Sequence, residues 1–516
     1  MDQPFSVGRT DVELTASMER GEGVPDAETP FRILLIGDVT GRANRGLVSR
    51  SADERKPVRV DRDSLDAAIR RFAPELRLNV PAAGAAALAI KFASLDDFHP
   101  DRLFDRLDAF QALRTLRERL HNRDGFEAAA AEVRSWVIPA ARAVPPAPAP
   151  KPPAPGISEG EQMVRELLEG RGRQAPERAP LGGGDWNAFL RQIVAPYIVA
   201  REDPQQAELV SAVDRATGAL MRAVLHHPAF QGVEAAWRAV DVLVRRLETG
   251  PDLQLWLLDA CKAELAAAFT DGRSDPRSSW INHVLVEQTV GTPGGVPWAV
   301  LIGNYTFETS QEDLTILSAM ARLAHAAGAP FVAAASPRLL GCESLEHTPD
   351  PDDWRRRDEG DTKRWMELRR SPEAAYVGLA LPRFLLRLPY GREGERLEAF
   401  DFEELPDGGS HDGYLWGNPA FGCACLLGRA FSEHGWGLRP GAVQEIEDLP
   451  LYVYEEDGER RVKPCAEVLL TVRAAEIILE RGLMPLLSFR DRDVVRLARF
   501  QSIRDPLTSL AGRWSV

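Results

Sequence analysis

The chain has 516 residues, a formal net charge of −14 at pH 7, 44% hydrophobic and 27% charged residues. That length suffices for two or more cores, and the acidic balance argues against a general nucleic-acid binder, which needs a basic footprint. No apolar run reaches the roughly 20 residues that span a bilayer, so no membrane insertion is expected.

The N-terminus, MDQPFSVGRTDVELT, lacks the basic and apolar regions of a secretory signal. Cysteines 261, 342, 423, 425 and 465 are sparse and odd in number. They fit reduced thiols in a cytoplasm better than a disulfide framework. Residues 1–30 are polar and Gly-rich. Only Val12, Glu13, Leu14 and Thr15 alternate as a strand does, with nothing nearby to pair with. Such a strand is either frayed or lent to a neighbouring chain.

Phe31–Gly37 (FRILLIG) predicts a short buried strand running into the turn Gly37–Gly41. The turn lacks the Lys-Ser/Thr ending of a phosphate loop and any GxGxxG spacing, so it reads as structural. Arg59–Asp61 leads from a short strand into a helix, capped by Asp63 or Ser64, with Leu65, Ile69 and Phe72 as its stripe. Leu76, Leu78 and Val80 alternate, as do Ala87, Ala89 and Lys91, predicting two strands about the turn Pro81–Gly84. A helix after Pro100 carries Leu103, Leu107, Phe110, Leu113 and Leu120 on one side. Residues 31–143 therefore form a small α/β domain.

Val144–Gly156 (VPPAPAPKPPAPG) is a linker favouring polyproline II. At about 3.1 Å per residue it spans up to roughly 40 Å. Ser158–Gly170 predicts a short amphipathic helix: Ser158 and Glu161 make a capping box, and Met163, Val164, Leu167 and Leu168 form its apolar side. It either docks on its own body or is presented to a partner. Residues 144–184 are thus a Pro/Gly-rich linker holding one helix, and residues 185–516 a second α/β domain.

In that domain Leu209–Leu225 is helical, and Pro228 opens the next helix. There Phe230, Val233, Trp237, Val240, Val244 and Leu247 recur at three and four. Strands are predicted at Leu253–Leu258, Trp298–Gly303 and Pro330–Ala335, with helices at Ala260–Phe269 and Asp313–Ala327. Tyr376–Tyr390 (YVGLALPRFLLRLPY) is the densest apolar run: a buried strand stopped by Pro382, then Arg383 and Arg387 four apart on one face of a short helix. Trp416–Arg429 and Glu467–Glu480 read as helices and Leu451–Tyr454 as a strand. Leu486–Phe489 and Val494–Leu497 read as a hairpin.

No chemistry converges. His226 and His227 are adjacent and diverge on a helix. Cys423 and Cys425 lack a second ligand pair at zinc spacing. Ser336 lacks the glycines of a nucleophile elbow. No catalytic residue, metal site or cofactor is expected.

The segments FRILLIGDVTGRANRG, KPVRVDRDSLDAAIRRFAPELRL and IKFASLDDFHPDRL resemble, in order, the small subunit of the type VI secretion contractile sheath (TssB/VipA). HHPAFQGVEAAWRAVDVLVRRLE, VLIGNYTFETSQEDLTIL, APFVAAASP, YVGLALPRFLLRLPYG, HDGYLWGN and GLMPLLSFRDRDVVRLARFQS resemble the large subunit (TssC/VipB) across most of Leu209–Ser502. The resemblance implies an α/β (α+β layered) protein of two intertwined sheath-type domains with mixed sheets flanked by helices. It implies a structural part that is not an enzyme, located in the bacterial cytoplasm. Implied partners are sheath subunits or copies of the chain, then the inner-tube protein, the baseplate and the recycling AAA+ ATPase.

Under that resemblance Val12–Thr15 falls at the place of the lent strand, and the helix with Met163, Val164, Leu167 and Leu168 where the ATPase docks. The large subunit of the family continues past the equivalent of Phe500–Ser502, so the expectation is a terminating, nucleating or regulatory role. The alternative is a non-polymerising adaptor that kept the fold and binds other secretion parts.

Overall fold

The computed structural model describes residues 25–48, 55–80, 87–135, 190, 193–194, 206–270, 277, 279–354, 359–406, 410–456 and 458–514. Among these the strands are β1 (Phe31–Gly37), β2 (Val58–Val60), β3 (Glu75–Leu78), β4 (Leu88–Lys91), β5 (Leu253–Asp259), β6 (Val300–Phe307), β7 (Phe331–Ala335) and β8 (Val377–Leu381). The later ones are β9 (Phe384–Leu385), β10 (Trp416–Gly417), β11 (Glu445–Ile446), β12 (Tyr452–Glu456), β13 (Glu459–Lys463), β14 (Met484–Ser488) and β15 (Val495–Leu497). The fold is α/β. Two compact units form, the first from residues 1–72, 233–388 and 414–516, the second from residues 73–232 and 389–413. Each unit draws on both the front of the chain and the rear.

The first unit is built on a nine-stranded sheet of order β11-β15-β14-β8-β7-β6-β1-β5-β2. From β14 to β5 all neighbours are parallel. Parallel strands are covered on both faces, which explains the unbroken apolar runs FVAAA and VGLAL and the run ILLIG after Arg32. The outer pairings β2–β5, β14–β15 and β15–β11 are antiparallel. On one face Leu34, Ile36, Leu258 and Leu301 join a core with the helix Gln311–Ala327. That helix is capped by Ser310, whose hydroxyl accepts from the Asp313 N–H, and ends at Gly328 in the left-handed region. The helix Pro419–His434 lies along β1, β6, β7 and β8, and Phe31 stacks on its Phe431 at 4.6 Å.

In the second unit β3 and β4 pair antiparallel, and Phe92 stacks on Phe98 at 4.0 Å with Phe230 edge-on to both. The helix Asp108–His121 packs on the helix Gln206–Leu225. Arg117 meets Asp214 at 2.6 Å, and Gln206 Nε2 donates to the Leu120 carbonyl at 2.6 Å.

Several local expectations are corrected. The helix after Pro100 is two helices, Pro100–Arg106 and Asp108–His121, because Leu107 is extended (φ −86, ψ 125) and opens the second. The inward residues of β4 are Leu88 and Ile90; the alternation through Ala89 and Lys91 is its exposed side. Arg383 and Arg387 share no helix. The backbone stays extended as β9, Arg383 pairs with Glu467, and Arg387 reaches the buried Glu234 at 2.9 Å. Two separate carboxylates thus draw these two arginines apart. Trp416–Gly417 is extended, with the helix starting at Pro419, and the later helix starts at Val472 rather than Glu467.

Candidate assembly site

The functional feature of the first unit is the seam where the front of the chain enters the rear. β1 is bonded on both sides, along its whole length to β5 and through Ile33–Ile36 to β6. Phe31, Ile33, Leu34, Leu35 and Ile36 are each at most 3% exposed. Burying five such side chains is worth on the order of 10 kcal/mol, an upper estimate. β2, also from the front, closes that side of the sheet against β5.

Polar contacts fix the register. After β1 the Asp38 carboxylate accepts from the N–H groups of Arg42 and Ala43, both at 2.8 Å, so the turn satisfies its own donors. Thr40 Oγ1 and the Val39 N–H donate to Asp259 at 2.8 and 3.0 Å, and Trp237 Nε1 donates to the Val39 carbonyl at 2.8 Å. Burial, with Asp38 nearby, pushes the Asp259 carboxyl up to about 6 against the pull of Thr40. Glu264 is fully buried and binds Arg42 and Arg55 at 3.0 and 2.5 Å, while its other oxygen accepts from the Cys261 N–H at 2.9 Å. Two front arginines therefore converge on one rear carboxylate.

At the opposite end of β1, the Arg32 guanidinium lies 3.9 Å from the Trp298 ring and 4.8 Å from that of Trp256. Nη1 donates to the Val296 carbonyl at 2.6 Å. Burial lowers its pKa to about 10.

Burial pushes the thiols of Cys425 and Cys465 up to about 11 and that of Cys423 up to about 12, which keeps them protonated. Among the described residues no group of three His, Cys, Asp or Glu side chains is placed to hold a metal, and no helix is long and apolar enough to cross a membrane. The second unit has a cavity of about 600 Å³ beside Asp214, Arg222 and Glu403. Asp214 is held by Arg117, and Arg222 donates to the Glu403 carbonyl at 3.0 Å.

Val12–Thr15 and the segment with Met163, Val164, Leu167 and Leu168 lie outside the described residues. The seam residues Thr40, Arg42, Arg55, Asp259 and Glu264 were not singled out from sequence. The turn Gly37–Gly41, which holds Thr40, reads from sequence as structural, and Trp237 of the apolar stripe donates to its Val39 carbonyl.

Residues 207–504 match the family described as EvpB/VC_A0108, tail sheath N-terminal domain (VipB). Residues 7–134 match the family described as Type VI secretion system, VipA, VC_A0107 or Hcp2. The chain is 33% identical over 307 residues to the type VI secretion system sheath protein TssC1 of Pseudomonas aeruginosa, covering 58% of this chain and 61% of that protein. It is 28% identical over 116 residues to the sheath protein TssB1 of the same organism, covering 22% of this chain and 63% of that protein. The chain thus spans less than two thirds of either relative. With front and rear matching the two sheath proteins in turn, and sharing one sheet, the chain belongs to the type VI secretion tail-sheath family as a small and a large sheath subunit fused in one polypeptide.

Proposed function

We propose that the chain is a non-catalytic building block of a type VI secretion sheath in the bacterial cytoplasm, made as a preassembled small–large pair. The observation that carries this reading is β1, a front strand bonded between two rear strands. A strand so held makes the pair one mechanical piece, which a lattice that transmits force requires. In such a lattice, force comes from two packings of one polymer that differ in free energy.

The partners in this reading are sheath subunits or further copies of the chain. Val12–Thr15 is lent to a neighbour's sheet edge. The helix carrying Met163, Val164, Leu167 and Leu168 is offered to the recycling AAA+ ATPase, and the inner tube and baseplate are the remaining contacts. Electron microscopy of the purified chain, alone and mixed with separate small and large sheath subunits, tests the reading. Tubes carrying the chain throughout make it a bulk subunit. Short or more numerous tubes with the chain at their ends make it a terminating, nucleating or regulatory one. A chain that neither polymerises nor joins tubes overturns the sheath reading in favour of an adaptor.

A further inference from the structure

The front of the chain meets the rear again within the second unit. There Tyr390–Glu404 leaves the rear and returns as a loop whose two ends are bonded to each other. The Glu404 N–H donates to the Tyr390 carbonyl and the Tyr390 N–H to Glu404 Oε2, both at 2.8 Å. A surface loop closed at its base in this way is an Ω-loop, a form that often carries function. Its root belongs to the rear: Tyr390 and Glu404 are each 1% exposed, and Arg222 Nη1 donates to the Glu403 carbonyl at 3.0 Å. Gly391 has φ +146, a conformation that side chains disfavour, and its N–H donates to the Glu395 carbonyl at 2.9 Å.

The body of the loop touches one stretch of the front, His99-Pro100-Asp101-Arg102-Leu103-Phe104, at three side chains. One carboxylate oxygen of Asp101 accepts the Glu398 N–H at 3.0 Å, and the other accepts the Ala399 N–H at 3.1 Å. Phe104 stacks on Phe400 at 4.7 Å and 27°. The His99 ring stands edge-on to Tyr390 at 5.1 Å, with Nε2 3.3 Å from Glu395 Oε1. The first turn of the helix Pro100–Arg106 would favour an acid at Asp101 in any case. That preference does not explain why two consecutive N–H groups, almost 300 residues later in the chain, each take one of its oxygens.

We infer that the loop Tyr390–Glu404 is a recognition clasp by which the rear selects its front, reading Asp101 with two backbone N–H groups and Phe104 with Phe400. The partner that fits is a small-subunit front with an aspartate at the start of a helix and an aromatic ring three residues on. An asparagine there accepts one N–H but turns its own NH2 on the other. An apolar residue leaves both donors without the carboxylate. This deepens the sheath reading and rests on its pairing of front with rear.

Hydrogen exchange of the full chain, read by mass spectrometry, tests the clasp. It needs no polymer, so its failure is distinct from failure of the sheath reading. Asp101→Asn speeds exchange at least about tenfold in peptides covering Glu395–Glu404. Exchange in Phe31–Gly37 stays as in the parent. Asp124→Asn, the same change in the first turn of the front helix Arg123–Ser135, alters neither. With the chain cut within residues 144–156, Asp101→Asn also lowers the urea concentration at which front and rear part in size-exclusion chromatography. Unchanged exchange in the loop overturns the reading of Asp101. Equal acceleration in Phe31–Gly37 makes the contact part of the general fold and not a clasp. An unchanged parting concentration overturns its role in selecting the front.

Discussion

At the scale of single residues, the seam is decided by two carboxylates that behave oppositely, one buried and one largely buried. Glu264 is matched by Arg42 and Arg55, so removing it takes a charge partner from both, and Arg55 is buried. Glu264→Ala is expected to lower the unfolding free energy by about 3 kcal/mol, seen as a lower urea midpoint by tryptophan fluorescence. Asp259 has hydrogen bonds but only a distant cation, Arg42 at 3.8 Å, and its folded-state pKa of about 6 lies above the ordinary 3.8. The folded chain therefore holds this proton between about pH 4 and 6 where the unfolded chain releases it, so this group's contribution to stability falls as pH rises through that window. Asp259→Asn keeps an acceptor for Thr40 and removes the titration. The urea midpoint of the parent relative to this variant should be higher at about pH 4.5 than at about pH 7.5; an equal offset at both would assign the acid dependence elsewhere.

At the scale of elements, packing between strands is tight enough to exclude a methyl group. A Cβ on Gly303 of β6 would lie 2.5 Å from the ring of Phe331, which is fully buried in β7. Gly303→Ala should cost about 1–3 kcal/mol by overpacking, again as a shift in urea midpoint, while Gly232→Ala, where a Cβ meets nothing, should not. Most strands are legible because parallel, doubly covered strands are rich in apolar residues: β7 and β8 are apolar throughout, and β1, β5 and β6 each hold a run of at least three apolar residues. Their neighbours were not legible. β1 sits between strands more than 200 residues later, and nothing local to FRILLIG encodes that; only the resemblance to two paired subunits implied it. The break at Leu107 was hidden because its spacing continues the stripe, and the helix Glu359–Arg370 because its charged sequence shows no apolar period. Glu264 was invisible for a related reason: a glutamate in a helix's first turn reads as solvated, and its burial follows from which loop lands on it.

For the whole molecule, the two compact units cut across the order of the chain, so front and rear share contacts beyond their covalent connection. The tether turns their meeting into an intramolecular step, at an effective concentration of order millimolar. Once formed, the contact rests on β1 and the Glu264 cluster, whose loss would open two ladders and a core face together. A site-specific protease sequence placed within residues 144–156 makes the distinction measurable. After complete cleavage the two fragments should elute together in size-exclusion chromatography at micromolar concentration and part only in denaturant. The same cut in Glu264→Ala should let them separate at a lower denaturant concentration. If the parent fragments elute apart without denaturant, the tether is what holds them. The fusion then supplies the affinity between the halves, and with co-elution it supplies only their one-to-one ratio.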